Sequence, residues 1–278
     1  MKQEIGLKSI CATDLKPKPI SWIWNNWLAL GKLHLLAGAA GTGKTTLALS
    51  LAATITSGGQ WPDGSYCEPG NILIWSDTDD LRDTLLPRLL AHGADRQRVY
   101  FISGVFEHNK VRAFDPSKDM QKLCEKVLSI MDVRLIVIDP IGYVISRNPQ
   151  KNGEIKRALQ HLIELGDKLK AVIIGISHFN KNVIGCDHLE RAIKSIACGT
   201  LTGVVLATTK IIDPRGKQKR LFMRAKSNHG IDSRGYYYKI EQISLENYPD
   251  VLSSKIIWGD PVEANAQGLL VDTNKIFK

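Results

Sequence analysis

The chain has 278 residues, of which 44% are hydrophobic and 23% are charged, a composition that is typical of a globular protein with a sizeable core. No apolar run approaches the roughly 20 residues of a transmembrane helix, residues 1–30 lack the layout of a signal peptide, and five scattered cysteines argue against a disulfide framework, so we expect a cytoplasmic protein. The formal charge of +9, from 37 Lys and Arg against 28 acidic residues, favours a polyanionic partner.

Apolar runs alternate with helical patterns along the chain, and this alternation predicts a mostly parallel sheet covered by helices. We predict strands at 33–38, 71–76, 98–103, 134–139, 171–177 and 203–210. Helices are predicted at 44–56, 80–92, 117–131 and 153–169. Two hairpin-like strands at 219–226 and 234–240 predict an antiparallel C-terminal extension of the same sheet. We expect an N-terminal arm (1–30), one α/β domain (31–245) and a C-terminal appendage (246–278).

The strongest chemical signal is the segment GAAGTGKT at 38–45, which fits the phosphate-loop pattern GxxxxGK[ST] and lies between a predicted strand and a predicted helix. Glycines allow the backbone to wrap a phosphate, the helix start presents its N–H groups, and the lysine adds a positive charge. The pattern therefore predicts binding of ATP or GTP. The predicted contacts are Gly38, Ala39, Ala40, Gly41, Thr42, Gly43, Lys44, Thr45 and Thr46, and the Thr45 hydroxyl is expected to bind Mg²⁺.

A second candidate is the segment RLIVIDP at 134–140, in which an apolar run ends in an aspartate. Its carboxylate, Asp139, emerges at the carboxyl edge of the predicted sheet, where the phosphate loop also lies. We therefore predict that Asp139 holds Mg²⁺ through water. The alternative is an aspartate that only caps the turn before Pro140.

Three acids, Asp77, Asp79 and Asp80, follow the predicted strand 71–76. Carboxylates in such a position can hold a metal, activate a water molecule, or cap the helix that follows. The residues alone leave these three roles open.

In the identity and order of these motifs, the chain resembles the RecA-like P-loop ATPases. Within this family it resembles the plasmid- and phage-type branch that includes small hexameric replicative helicases. The resemblance covers about residues 16–240. Beyond the phosphate loop it rests on SGGQWPDG (57–64), DDLRDTLLPRLLAHGA (79–94), SHFNK (177–181) and KSNHG (226–230). It implies an ATP- and Mg²⁺-dependent enzyme that assembles as a homo-hexamer and binds single-stranded DNA.

The resemblance also implies a role for the polar residues at the strand ends. Relatives carry a catalytic glutamate just after the second strand, and Thr78 occupies that place here. Asp77 or Asp79 is then the candidate base, with helix capping by Asp79 and Asp80 as the alternative. His178 matches the sensor of the γ-phosphate, although a histidine at a strand end is often structural.

Hexameric relatives reach the neighbouring subunit's γ-phosphate with a Lys and an Arg on a late strand. Lys226 fits the lysine, but Asn228 stands where the arginine is expected. Arg224, which we expect on the same strand face as Lys226, is the candidate replacement. The alternative is a solvated basic strand.

Two long loops, 142–153 and 179–200, correspond to family loops that line a central channel and contact single-stranded DNA. The candidate phosphate contacts are Arg147, Lys151, Lys181, Arg191 and Lys194. A solvated loop is the alternative for each.

Two functions are compatible with these sequence features. The favoured one is a DNA-dependent ATPase motor, specifically a hexameric replicative helicase of a plasmid, phage or integrated element. The other is a slowly hydrolysing, nucleotide-switched DNA-binding module, such as a loader or a recombination and repair mediator. Thr78 and Asn228 favour the second function, and the two channel-type loops favour the first.

Overall fold

A nine-stranded sheet is the central element of the computed structural model, which describes residues 9–116, 118–144, 152–177, 203–212, 218–227 and 234–263. Helices pack on both faces of this sheet. The described strands are β1 (Trp22–Trp24), β2 (Leu28–Ala29), β3 (Leu33–Gly38), β4 (Asn71–Ser76), β5 (Val99–Phe101), β6 (Val105–Glu107), β7 (Lys110–Arg112), β8 (Val133–Asp139), β9 (Val172–Ile176), β10 (Val204–Ile212), β11 (Gln218–Ser227), β12 (Arg234–Leu245) and β13 (Tyr248–Glu263). The described α-helices are α1 (Lys44–Ser57), α2 (Leu86–Ala91), α3 (Met120–Leu128) and α4 (Asn152–Leu169).

The strand order in the sheet is β13-β12-β11-β10-β3-β9-β8-β4-β5. The run from β10 to β5 is parallel, and β11, β12 and β13 extend the sheet with antiparallel pairs. The predicted α/β class, a mostly parallel sheet with an antiparallel C-terminal extension, is confirmed. Because the carboxyl ends of parallel strands share one edge, β3, β4 and β8 bring their last residues together there.

Adjacent residues of each central strand pack in different hydrophobic cores, one on each face of the sheet, because side chains alternate between the two faces. Leu36 and Ile74 pack in the core that includes α1. Leu35 and Trp75 pack in the core on the other face, with residues of α3 and α4. Both faces are therefore covered, which explains why the central strands are continuous apolar runs in the sequence.

Helix α1 follows the phosphate loop directly and is buried along nearly its whole length. It contacts several strands of the sheet, including the edge strand β13, and it also contacts α2. Its small and apolar residues fit this enclosed position. The helix ends at Gly58, whose φ of 65° is the left-handed conformation that glycine adopts without a Cβ penalty.

Segments at both ends of the predicted domain join the same core. Trp24 stacks on Trp27 and on Trp61 with ring centroids 4.8 and 4.9 Å apart, and it is 1% exposed. Residues 22–29 of the expected N-terminal arm therefore contribute to the core. In the expected C-terminal appendage, β13 pairs with β12 along most of its length and forms one edge of the sheet.

Several predicted boundaries differ from the observed ones. The predicted helix 80–92 begins as a π-helical turn, Leu81–Leu85, before the short helix α2. The predicted helix 117–131 is shorter, as α3, and the edge strand predicted at 98–103 pairs only as β5. The β6–β7 hairpin was not predicted. None of the helices in the described ranges is long and apolar enough to cross a membrane.

Candidate functional site

The phosphate loop joins β3 to α1 in a conformation that requires glycine. Gly41 and Gly43 have φ values of 72° and 91°, in the left-handed region. A Cβ at Gly38 would lie 2.3 Å from the Thr208 Oγ1, and a Cβ at Gly43 would lie 2.4 Å from the Ile240 Cδ1. The glycines of the motif therefore serve both the turn of the loop and its close packing on β10 and β12.

Lys44 lies at the start of α1 and folds back onto the loop. Its Nζ donates to the carbonyl oxygens of Gly38 and Ala39, each at 3.0 Å. Burial lowers the pKa of Lys44, and the charge of Asp139 opposes this shift. The ammonium group is thus held over the loop, where a phosphate would replace the carbonyl contacts.

Thr45 and Asp139 meet although they are far apart in the sequence. The Thr45 hydroxyl donates to the Asp139 Oδ2 at 2.7 Å, and Asp139 is 1% exposed. A hydroxyl and a carboxylate next to a phosphate loop provide the oxygen ligands that Mg²⁺ prefers, and Mg²⁺ needs only one or two protein ligands beside substrate phosphates and water. The residues present therefore fit the predicted metal.

The loop is also fixed from behind by two residues that the sequence reasoning missed. The Thr42 hydroxyl hydrogen-bonds the Thr208 hydroxyl at 2.7 Å, and the Tyr238 hydroxyl donates to the Thr42 carbonyl oxygen at 2.7 Å. Burial raises the pKa of Tyr238. The sequence predicts that Thr208 and Tyr238 lie in strands, at 203–210 and 234–240, but it does not predict that these strands lie beside the phosphate loop.

The three acids after β4 have three different environments. The Asp77 backbone N–H donates to the Asp139 carbonyl oxygen at 3.0 Å, and its side chain is exposed. The Asp79 carboxylate accepts from Arg88 at 2.9 Å. Asp80 accepts from the backbone N–H groups of Arg82 and Asp83, which lowers its pKa and caps the π-helical turn. Of the three, Asp77 has a carboxylate without a hydrogen bond or ion pair to the part of the chain that the structure describes.

A cavity of about 190 Å³ opens beside these acids. It lies at the carboxyl ends of β4 and β5, and its walls combine the carboxylates with aromatic side chains, Trp75 and Phe114. The cavity adjoins the strand edge that carries Asp139. The residues that line the cavity come from the chain after β4 and β5, and none of them belongs to the phosphate loop.

The observed position of Arg224 differs from the predicted one. It is 1% exposed, its guanidinium donates to the Asn26 carbonyl oxygen, and it lies over the Trp27 ring at 5.7 Å from the centroid. The register of β11 shifts by one residue between positions 224 and 226, so strand alternation does not place them on one face. In this position Arg224 anchors the N-terminal segment.

Other predicted residues lie outside the described ranges. These are the sensor candidate His178, the finger position Asn228, and the DNA contacts Arg147, Lys151, Lys181, Arg191 and Lys194. For Lys226 the structure gives the backbone position in β11 alone. Their roles stay predictions.

The carboxyl edge of this mostly parallel sheet carries a phosphate loop, a threonine and a buried aspartate at the end of a strand. These features define a P-loop ATPase domain with a RecA-like fold. The sequence pattern of the AAA domain family matches residues 9–183, which is more than half of the chain, so the chain belongs to this family. No curated protein matches the chain.

Among solved structures, a KaiC-like protein from the hyperthermophilic archaeon Pyrococcus horikoshii OT3 is similar to this chain. The two are 16% identical with a TM-score of 0.51, and the match covers 82% of this chain and 90% of that one. At this identity the likeness supports the fold alone.

Proposed function

We propose that the chain binds Mg-ATP and hydrolyses it as a DNA-dependent motor, specifically a hexameric replicative helicase of a plasmid, phage or integrated element. The observation that carries the ATPase step is the meeting of Lys44, Thr45 and Asp139 at one edge of the sheet. The DNA step is supported by the +9 charge and by the basic residues in the loops 142–153 and 179–200.

The described residues divide the work of binding between them. Backbone N–H groups of the phosphate loop and the Lys44 ammonium group bind the phosphates, and Lys44 exchanges its two carbonyl contacts for phosphate oxygens. Thr45 and Asp139 would hold Mg²⁺, which when bound neutralises charge on the phosphates. Thr208 and Tyr238 keep the loop in its binding shape through Thr42.

Asp77 is the best-placed general base. Its backbone N–H donates to the Asp139 carbonyl oxygen, which places Asp77 at the strand edge that carries the predicted metal ligand, and no described residue forms an ion pair with its carboxylate. Asp79 is already paired with Arg88. In the proposed step, Asp77 accepts a proton from water, the water oxygen bonds to the γ-phosphorus, and the bond from that phosphorus to the ADP oxygen breaks.

A slowly hydrolysing nucleotide switch is the second candidate function. It is favoured by Thr78, which stands in the glutamate position, and by the burial of Arg224, which leaves no described arginine on β11 for a neighbouring site at that end of the strand. Such a module would bind Mg-ATP and DNA without rapid turnover.

Steady-state ATPase rates with and without single-stranded DNA distinguish these functions. For the motor, DNA stimulates the wild type, Lys44→Ala weakens Mg-ATP binding at least tenfold, or about 1.4 kcal/mol, and Asp77→Asn lowers turnover by about 10²–10⁴-fold with binding retained. Asp79→Asn is the matched control, and it retains turnover. For the switch, the wild type binds Mg-ATP but turns over slowly, and Thr78→Glu raises the rate.

The DNA component has its own test. Binding to single-stranded DNA should be independent of sequence and should weaken steeply with salt, because neutralised phosphates release counterions. Combined neutralisation of Lys181, Arg191 and Lys194 should flatten that salt dependence. No DNA binding at low salt, with or without Mg-ATP, would exclude both DNA-dependent functions.

A further inference from the structure

Two cationic side chains beside the phosphate loop, Lys210 on β10 and Arg220 on β11, have no role in the proposed mechanism so far. Lys210 follows Thr208 by two positions in β10, so both side chains leave the same face of the sheet. Thr208 contacts the loop through Thr42. The Lys210 Nζ lies 3.8 Å from the position that a Cβ at Gly41 would occupy. Lys210 therefore extends along the loop itself.

Arg220 is the cross-strand neighbour of Lys210. The two residues are directly opposite in the antiparallel β10–β11 pair, and Tyr238 is opposite Arg220 on β12. Burial raises the pKa of the Tyr238 hydroxyl, and the charge of Arg220 opposes that shift. Since the same hydroxyl donates to the Thr42 carbonyl oxygen, Arg220 lies on the loop side of the sheet and close to the loop.

No acid in the described ranges balances these charges. Neither Lys210 nor Arg220 forms an ion pair with a described residue, and the Arg220 Nε is buried without a hydrogen-bond partner among them. Like charges that face each other across two strands are destabilising. An anion bound between them removes this repulsion and supplies the missing acceptor.

We propose that Lys210 and Arg220 form a second cation pair that binds the polyphosphate of the nucleoside triphosphate held by the phosphate loop of the same subunit. This inference rests on the proposed binding of Mg-ATP. Lys44 contacts the phosphates from the start of α1, and the pair contacts them from β10 and β11. The resting protein then carries three cations around one loop, and the nucleotide is the ligand that satisfies them.

The test compares Mg-ATP affinity by calorimetry for the wild type and four variants. Lys210→Met and Arg220→Met keep an apolar stem and remove the charge, so each should weaken binding about tenfold, or about 1.4 kcal/mol. Lys210→Arg keeps the charge and should restore most of the affinity. Lys219→Met is the matched control, because Lys219 lies next to Arg220 in β11, faces the other side of the sheet and stacks over Tyr237.

Thermal melting without nucleotide distinguishes charge from loop packing. Removal of one cation relieves repulsion, so Lys210→Met should melt no lower than the wild type. Unchanged Mg-ATP affinity in Lys210→Met would overturn the proposal. A loss of affinity in Lys210→Met would also overturn it if the melting temperature of that variant is clearly lower, or if Lys219→Met loses the same affinity. Loss of binding in Lys44→Ala with unchanged binding in Lys210→Met refutes the cation pair alone, and no binding by the wild type refutes the proposed function itself.

Discussion

Replacement of Gly43 by alanine tests how tightly the phosphate loop is packed on β12. Gly43 has a φ of 91°, and the new Cβ would lie 2.4 Å from the Ile240 Cδ1. The left-handed conformation costs a residue with a Cβ roughly 1–2 kcal/mol. Overpacking adds about 1 kcal/mol, the low end of the usual range, because Cδ1 is the end of a rotatable side chain. We expect the free energy of unfolding to fall by about 2–3 kcal/mol in total.

Gly93→Ala is the matched control. Gly93 has a φ of 77°, and no atom lies within 4 Å of the position that its Cβ would occupy, so this variant has the backbone strain without the overlap. Both substitutions reduce the entropy of the unfolded chain alike, and this contribution cancels in their difference. Chemical denaturation without nucleotide should therefore show Gly43→Ala to be less stable than Gly93→Ala by about 1 kcal/mol.

Ile240→Val completes a double-mutant cycle, because valine lacks the Cδ1 atom. In the Gly43→Ala background this change should recover most of the overlap energy, which gives a coupling of about 1 kcal/mol between the two sites. Equal costs for Gly43→Ala and Gly93→Ala, or additive costs in the double mutant, would show that Ile240 does not limit the loop.

Two further predictions concern the supports of the fold. The neutral His92 ring contacts the Arg88 carbonyl oxygen through Nδ1 and accepts from the Ile256 N–H at Nε2, and burial lowers its pKa. Below about pH 6.5 the unfolded chain therefore binds more protons than the folded one, so the free energy of unfolding should decrease as the pH falls towards the folded-state pKa. This decrease should be smaller in His92→Gln than in His161→Gln, the control at an exposed histidine. Arg224→Met should lower the free energy of unfolding by about 2 kcal/mol in denaturant titrations, since a charged hydrogen bond to the Asn26 carbonyl oxygen is lost, whereas Lys219→Met on the same strand should not. An Arg224→Met variant of full stability but reduced ATP turnover would restore Arg224 as a candidate finger.

The sequence by itself determined the elements whose signals are local. The strands at 33–38 and 71–76 have the predicted bounds, because strands buried on both faces are continuous apolar runs. The phosphate loop was predictable for a similar reason, since its glycines, its lysine and the start of α1 are contiguous. Asp139 could be placed at the same edge as the loop because parallel strands share their carboxyl edge.

Only the tertiary structure decided which distant residues complete the site. Thr208, Lys210 and Tyr238 reach the loop because β10 pairs with β3 and the β11–β12 extension follows it, and single-sequence patterns do not give strand order. The role of Arg224 was likewise set by a remote partner, the Asn26 carbonyl oxygen, whereas the partner of Asp79 is Arg88, nine residues further along the chain. The one-residue register shift in β11 also changes which face of the sheet its residues occupy, compared with simple alternation along the strand. Such a shift depends on how two strands pair, and the sequence of either strand alone does not predict it.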